Sequence, residues 1–239
     1  MAKDLHRQAK AIGLRININK SKLVTNQNTD RRPPFIVAGQ QVKQVSEFVY
    51  LGQTIGDSTK RQKEIGRRVT AGWRSFFKYK MIYTSKRTPI FLKRRLFNSC
   101  VLPTMLYGAE TWSLTKREEN WLAVAQRRME RIMTGTSLRQ WKTNDWLRKL
   151  TQVNDVMRSY WQRKWRWAQR IAKMDEDRWA RRVTEWQPRI GKRGRGRPKK
   201  RWRDEIVKVA GIRWMAIAKK ESCWRQLKEK FLNPKAAVI

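Results

Sequence analysis

Histidine and cysteine are almost missing from this sequence, and acidic residues are scarce. His6 is the sole histidine, and Cys100 and Cys223 are the two cysteines. A zinc site gathers several such ligands at close spacing, so Cys/His zinc chemistry is excluded, and two distant thiols make no disulfide framework. A reducing, intracellular compartment is the expectation. No apolar run approaches the ~18 residues of a membrane-spanning helix. The opening MAKDLHRQAK has no apolar core of a secretion signal. There is no Gly-x-x-x-x-Gly-Lys phosphate loop and no nucleophile elbow, and no acid–lysine cluster recommends a nuclease. No small-molecule substrate and no membrane partner are expected.

What the chain does have is positive charge. Its 239 residues carry 57 Lys and Arg against 19 Asp and Glu, a formal net charge of +38. Such a charge repels itself in a compact state, and a polyanion relieves the repulsion. Nucleic acid is the commonest polyanion, and phosphate neutralisation gives affinity through counterion release without reading sequence. Lys and Arg are spread along the chain rather than gathered on one amphipathic face, which argues against a membrane surface. Hydrophobic residues make up 40% of the chain and Trp occurs 13 times, too much apolar material for a disordered chain of this charge.

Periodicity predicts an order of elements. Leu5, Ala9 and Ile12 give a short helix stopped by Gly13, and Leu14, Ile16 and Ile18 alternate with polar residues as a strand does. Two strands follow at 35–37 and 42–50 around a turn at 39–41. From Asp57 or Ser58 the pattern turns helical, with Ile65, Val69, Trp73 and Phe76 or Phe77 on one face. Thr88-Pro89 starts a helix bearing Leu92, Leu96 and Cys100, which Pro103 bends or ends. Thr115 and Glu118 form a capping box for a helix that carries Leu122, Ala125, Met129 and Ile132 and stops at Gly135. Asn154 is the expected cap of a further helix through Tyr160, Lys164, Trp167 and Ile171. Helices are also expected at 177–186, 201–210 and 214–231. The fold class is α+β and predominantly helical.

Several blocks carry a resemblance. Gly13-Leu14-Arg15-Ile16-Asn17 with Lys20-Ser21-Lys22 is similar to the motif D segment of non-LTR reverse transcriptases. Phe48-Val49-Tyr50-Leu51-Gly52 resembles their primer grip, and Leu106-Tyr107-Gly108-Ala109-Glu110-Thr111-Trp112 a block that follows the thumb. Arg178-Trp179, Gly194 to Pro198 and Arg201-Trp202-Arg203-Asp204-Glu205 resemble C-terminal blocks of RTE-like elements. Two positions depart from the pattern: Trp167-Ala168-Gln169-Arg170 stands where relatives place Gly-His, and Lys220-Glu221 where they have Asp-Arg.

The resemblance implies the C-terminal part of a retrotransposon RNA-directed DNA polymerase. Residues 1–56 would be the end of the palm with the primer-grip hairpin, and 57–140 a thumb-like helical region. Residues 141–191 would be a Trp- and Arg-rich helical region, 192–201 a basic linker, and 202–239 the C-terminal helices. Tyr50, Leu51 and Gly52 would touch the primer end. Lys20 corresponds to the motif D lysine that protonates departing pyrophosphate. The Asp pair that holds Mg2+ in the intact parent would lie before Met1, and two-metal phosphoryl transfer needs such ligands. The one dense acidic run, Asp175-Glu176-Asp177, reads as an exposed turn. No catalytic residue and no cofactor are therefore expected here, and Lys20 reads as a solvated lysine.

Lys192, Arg193, Arg195, Arg197, Lys199, Lys200 and Arg201 surround an Arg-Gly-Arg-Pro core that looks like an AT-hook. In such a hook arginines enter the narrow minor groove of A·T-rich DNA. A nuclear localisation patch and a solvated linker are the other readings of the same residues. Ten of the 13 Trp lie from Trp141 onward. Core packing is the default for Trp73, Trp121, Trp165 and Trp224, whereas the Trp161–Trp167 stretch, interleaved with basic residues, is the place where bases could stack. The expectation is a nuclear, non-catalytic protein binding RNA–DNA hybrid or DNA. A self-standing AT-hook protein and a degenerate transposon remnant without function are the alternatives.

Overall fold

The computed structural model describes residues 2–25, 34–50, 53–56, 61–186 and 200–232. The chain divides into two compact units, residues 1–64 and 65–239. The expected α+β, mainly helical architecture is what the chain adopts: twelve α-helices and two small two-stranded sheets occur among the described residues.

In the first unit, helix α1 (Ala2–Ala11) ends at Gly13, whose φ of 78° lies in the left-handed region that glycine enters without strain. The expected strand at 14–18 does not form. The Asn17 side chain accepts from the Lys20 amide (3.1 Å) and the Asn17 carbonyl accepts from the Ser21 hydroxyl (2.8 Å), closing a local turn in place of a ladder. Leu23 alone bridges Gln44. The two expected strands are also rearranged. Strand β1 (Ile36–Val37) pairs with β2 (Gln40–Gln41) across Ala38-Gly39, both with positive φ as a two-residue hairpin turn requires. Strand β3 (Glu47–Tyr50) pairs with its own hairpin partner β4 (Gln53–Gly56), not with residues 35–37. Val37 and Val42 are buried, while Leu5, Ile12, Leu14, Phe35 and Ile36 stay exposed.

The second unit is helical. Helix α2 (Arg61–Lys78) buries Ile65, Val69 and Phe76, which settles the choice between Phe76 and Phe77, since Phe77 is exposed. Phe76 stacks on Tyr83 of α3 (Lys80–Thr84) with centroids 4.3 Å apart. Helix α4 (Ile90–Leu96) begins after Pro89 and runs into one π-helical turn, Phe97–Val101, before α5 (Leu102–Met105). Of the expected face, Leu92 is exposed while Leu96, which packs against the core, and Cys100 are half-buried. Lys93, Phe97 and Val101 are buried instead, and Pro103 sits in the first turn of α5, so the chain stays helical past it. A π-turn widens the spiral just before a proline that would otherwise collide with the preceding turn.

Helix α6 (Lys116–Thr134) opens with the expected capping box: Thr115 accepts from the Glu118 amide and Glu118 from the Thr115 amide. Helix α7 (Asn144–Thr151) was not anticipated; Thr143 caps it by accepting from the Trp146 amide. The cap of α8 (Val156–Ala172) is Asp155, one residue beyond the expected Asn154. Asp155 accepts from the Met157 and Arg158 amides, whereas the Asn154 backbone is held by Asn98 and Gln126. Helices α9 (Trp179–Glu185) and α10 (Asp204–Ala210) follow. The expected helix 214–231 is two, α11 (Trp214–Lys219) and α12 (Glu221–Leu232), because Lys220 is extended with ψ of 104°.

Helix α8 runs through the core. Tyr160, Trp161, Lys164, Trp165, Ala168 and Ile171 are all buried at helical spacing. Trp165 stacks on Trp224 of α12 (3.6 Å between centroids, 8° between planes), and Trp161 meets Phe231 edge-on at 5.4 Å. The Trp161–Trp167 stretch is therefore core for its first two rings rather than a stacking platform. Residues from Ile65 to Leu232 share this one hydrophobic cluster.

Candidate nucleic-acid interface

The polar framework explains how the C-terminal blocks are placed. The ammonium of Lys164, fully buried, donates to the Trp112 carbonyl (3.1 Å) and to the Glu205 carboxylate. Glu205 also pairs with Lys200, whose ammonium reaches the Leu114 carbonyl at 3.1 Å. Tyr160 donates to the Trp112 carbonyl at 2.9 Å, and the Trp202 indole to the Glu110 carbonyl at 2.7 Å. The segments 106–114 and 200–205, nearly a hundred residues apart in the chain, are thus locked together on α8. Burial pushes the Lys164 ammonium below the usual lysine value, and the Glu205 charge opposes that shift.

This framework holds up a groove of about 690 Å3. Trp167, Trp179, Trp186 and Trp202 line it together with Arg201 and Arg203, and no carboxylate does among the described residues. Arg182 lies against the Trp179 ring at 5.7 Å and Arg170 against Trp167 at 5.9 Å. Trp179 and Trp186 remain 76% and 68% exposed.

Two further clefts, each about 480 Å3, lie side by side and share Ser99. Arg68, Lys78 and Tyr107 belong to one, and Phe91, Arg94, Arg95 and Asn98 to the other. Arg68 stacks on Tyr107 at 4.7 Å. Cations, hydroxyls and an amide line the pair without a carboxylate among the described residues, a donor set suited to phosphate oxygens.

The residues singled out in the sequence are scattered. Lys20 is exposed on its turn, and Tyr50 is 56% exposed at the end of β3. Leu51, Gly52, Lys192, Arg193, Arg195, Arg197 and Lys199 lie outside the described residues. Lys200 is engaged with Glu205, and Arg201, whose amide donates to Asp204 at 2.6 Å, is among the residues lining the groove. Neither the groove nor the clefts were anticipated. The groove and the cleft with Arg68 combine distant segments, while the cleft with Arg94 and Arg95 is lined within residues 91–99, and the visible signal was only excess Arg and Trp.

A metal pair does not fit what is present. Glu176 pairs with Arg181 (2.9 Å) and Asp177 with Arg182, so the acidic turn is engaged in ion pairs. Among the described residues no three His, Cys, Asp or Glu side chains gather as a metal would need, and no helix is long and apolar enough to cross a membrane. No catalytic step is assigned to these residues.

No family model matches the chain, and no solved structure does. A transposon-derived protein of Caenorhabditis elegans is 31% identical over an alignment that covers 94% of this chain and 86% of the worm protein. At that identity and coverage the chain belongs to the same family of transposon-derived proteins.

Proposed function

We propose that this transposon-derived chain is a nucleic-acid-binding part of a retrotransposon RNA-directed DNA polymerase, acting in the nucleus without polymerase chemistry of its own. It seats the phosphate backbone of an RNA–DNA hybrid or of DNA on the helical unit. The observation that carries this reading is the pair of adjoining clefts around Ser99, lined by Lys78 beside Arg68 in one and by Arg94 and Arg95 in the other, with no carboxylate in either lining among the described residues. A net charge of +38 adds long-range attraction. The polymerase origin rests on the motif blocks in the sequence, and the worm relative supports the transposon origin.

The test is a titration against primer-template hybrid, A·T-rich duplex and random duplex over a salt series. Preference for the hybrid that persists at high salt supports the reading, as does a several-fold loss in Arg94→Ala/Arg95→Ala. Equal binding to all three, with a log–log slope near −0.9 per phosphate neutralised, leaves a basic surface alone. The second reading, a self-standing A·T-rich DNA binder, is favoured by the Arg195-Gly196-Arg197-Pro198 core. It predicts that A·T-rich duplex wins and that Arg195→Ala/Arg197→Ala abolishes the advantage.

A further inference from the structure

We propose that the tryptophan groove on α8 and α9 binds unpaired nucleobases of a single strand, a function separate from backbone binding at the clefts around Ser99. This rests on the nucleic-acid reading above but makes its own demand: bases must be free to stack. The groove presents four indoles, Trp167, Trp179, Trp186 and Trp202, with Arg201 and Arg203 in the same lining and no carboxylate among the described residues. Trp202 is tethered through its Nε1 to the Glu110 carbonyl, so its ring is held in place. Trp179 and Trp186, in contrast, are 76% and 68% exposed, although large apolar rings of a chain on its own are usually covered. Guanidinium groups lie against two of the rings, Arg170 on Trp167 and Arg182, which also pairs with Asp177, on Trp179.

Aromatic planes beside cations match a single strand, whose bases stack on rings while its phosphates pair with arginine. A duplex keeps its bases stacked on one another and offers these rings nothing comparable. An apolar polypeptide would use the rings but leave Arg201 and Arg203 without an anion, so charge complementarity favours nucleic acid.

The experiment uses the full chain and measures anisotropy of a labelled single strand of about 12 nucleotides and of the matching duplex. A 2-aminopurine base in the strand reports stacking. Trp179→Ala/Trp186→Ala is expected to weaken single-strand binding about tenfold and duplex binding by less than about twofold. Trp179→Phe/Trp186→Phe is expected to restore the single strand, and an unchanged melting curve shows that these exposed positions do not carry the fold. Equal loss on both forms, or no loss on the single strand, overturns the stacking site. If Arg94→Ala/Arg95→Ala still weakens duplex binding in that case, the proposed function stands without the groove. Wild-type chain that binds neither form overturns both. If 2-aminopurine emission does not change on binding, the bases do not stack on the rings and the proposal falls.

Discussion

Glu205 faces two lysines that differ in burial: Lys164 is fully enclosed, while the Lys200 side chain is 37% exposed. Removing the carboxylate would leave the Lys164 ammonium with neutral acceptors, the Trp112 carbonyl at 3.1 Å and the Tyr160 hydroxyl at 3.5 Å. An uncompensated buried charge costs about 3–5 kcal/mol. Glu205→Gln is therefore expected to destabilise the second unit by that order in urea denaturation, and Lys164→Met in the same chain is expected to recover part of the loss. An additive or larger loss in the double variant would show that the pair is not the source. The same lysine has a pH signature. Burial lowers its pKa in the fold, so between the lowered value and the ordinary 10.5 the unfolded chain binds more protons. Below the lowered value the cost of burying the ammonium is present in full, and stability rises as pH climbs through that window. Melting curves over the alkaline range below pH 10.5 should show this rise. It should shrink in Lys164→Met, leaving the share of Lys93, which burial shifts the same way. A wild-type slope unchanged by Lys164→Met would refute the assignment.

At the level of elements, two N-caps that look alike in sequence carry different loads. Thr115 works within its own capping box, so Thr115→Ala is expected to cost about 1 kcal/mol. Asp155 caps α8 through two amides and also receives Arg127 at 2.6 Å, itself paired with buried Glu130 at 2.5 Å. Asp155→Ala removes the cap and one partner of an ion network, so a loss of at least about 2 kcal/mol is expected. Equal losses in chemical denaturation would show that the network adds nothing. This contrast marks what the sequence could reveal. The Thr115–Glu118 box was legible because both partners lie within one turn. Asn154 and Asp155 are equivalent as local caps, and what separates them is contact with Asn98, Gln126 and Arg127 from distant segments. Gly72 makes a similar point on α2. Alanine there would improve helix propensity by about 1 kcal/mol. The added Cβ would collide with Cγ of the fully buried Met105 side chain. Overpacking costs about 1–3 kcal/mol, so Gly72→Ala is expected to be net destabilising by up to about 2 kcal/mol, and a raised melting temperature would contradict that.

Over the whole chain, local signals located the helices and long-range packing decided what they present. The +38 charge pointed to a polyanion, but which arginines share a surface depended on where α2, α4 and the π-turn come together. The face of α8 that carries Trp161 and Trp165 read as a mixture of rings and cations. Only its packing against α12 separates the two core rings from Trp167 at the groove. The two units also differ in how much holds them. The first relies on a hairpin with two residues per strand, another with four, and Val37 and Val42 as its buried apolar side chains among the described residues. Two-stranded hairpins are marginal in water, and buried apolar area is what raises the free energy of local opening. The second unit encloses its helices around one continuous cluster, with Trp165, Tyr160, Phe97 and Leu122 among its buried members. Amide hydrogen exchange on the full chain is expected to be fast through Glu47–Gly56 and slowest in α6 and α8. Protection of the β3–β4 amides equal to that of α8 would mean that residues 1–64 unfold only with the helical unit, and the division into separately opening units would fail.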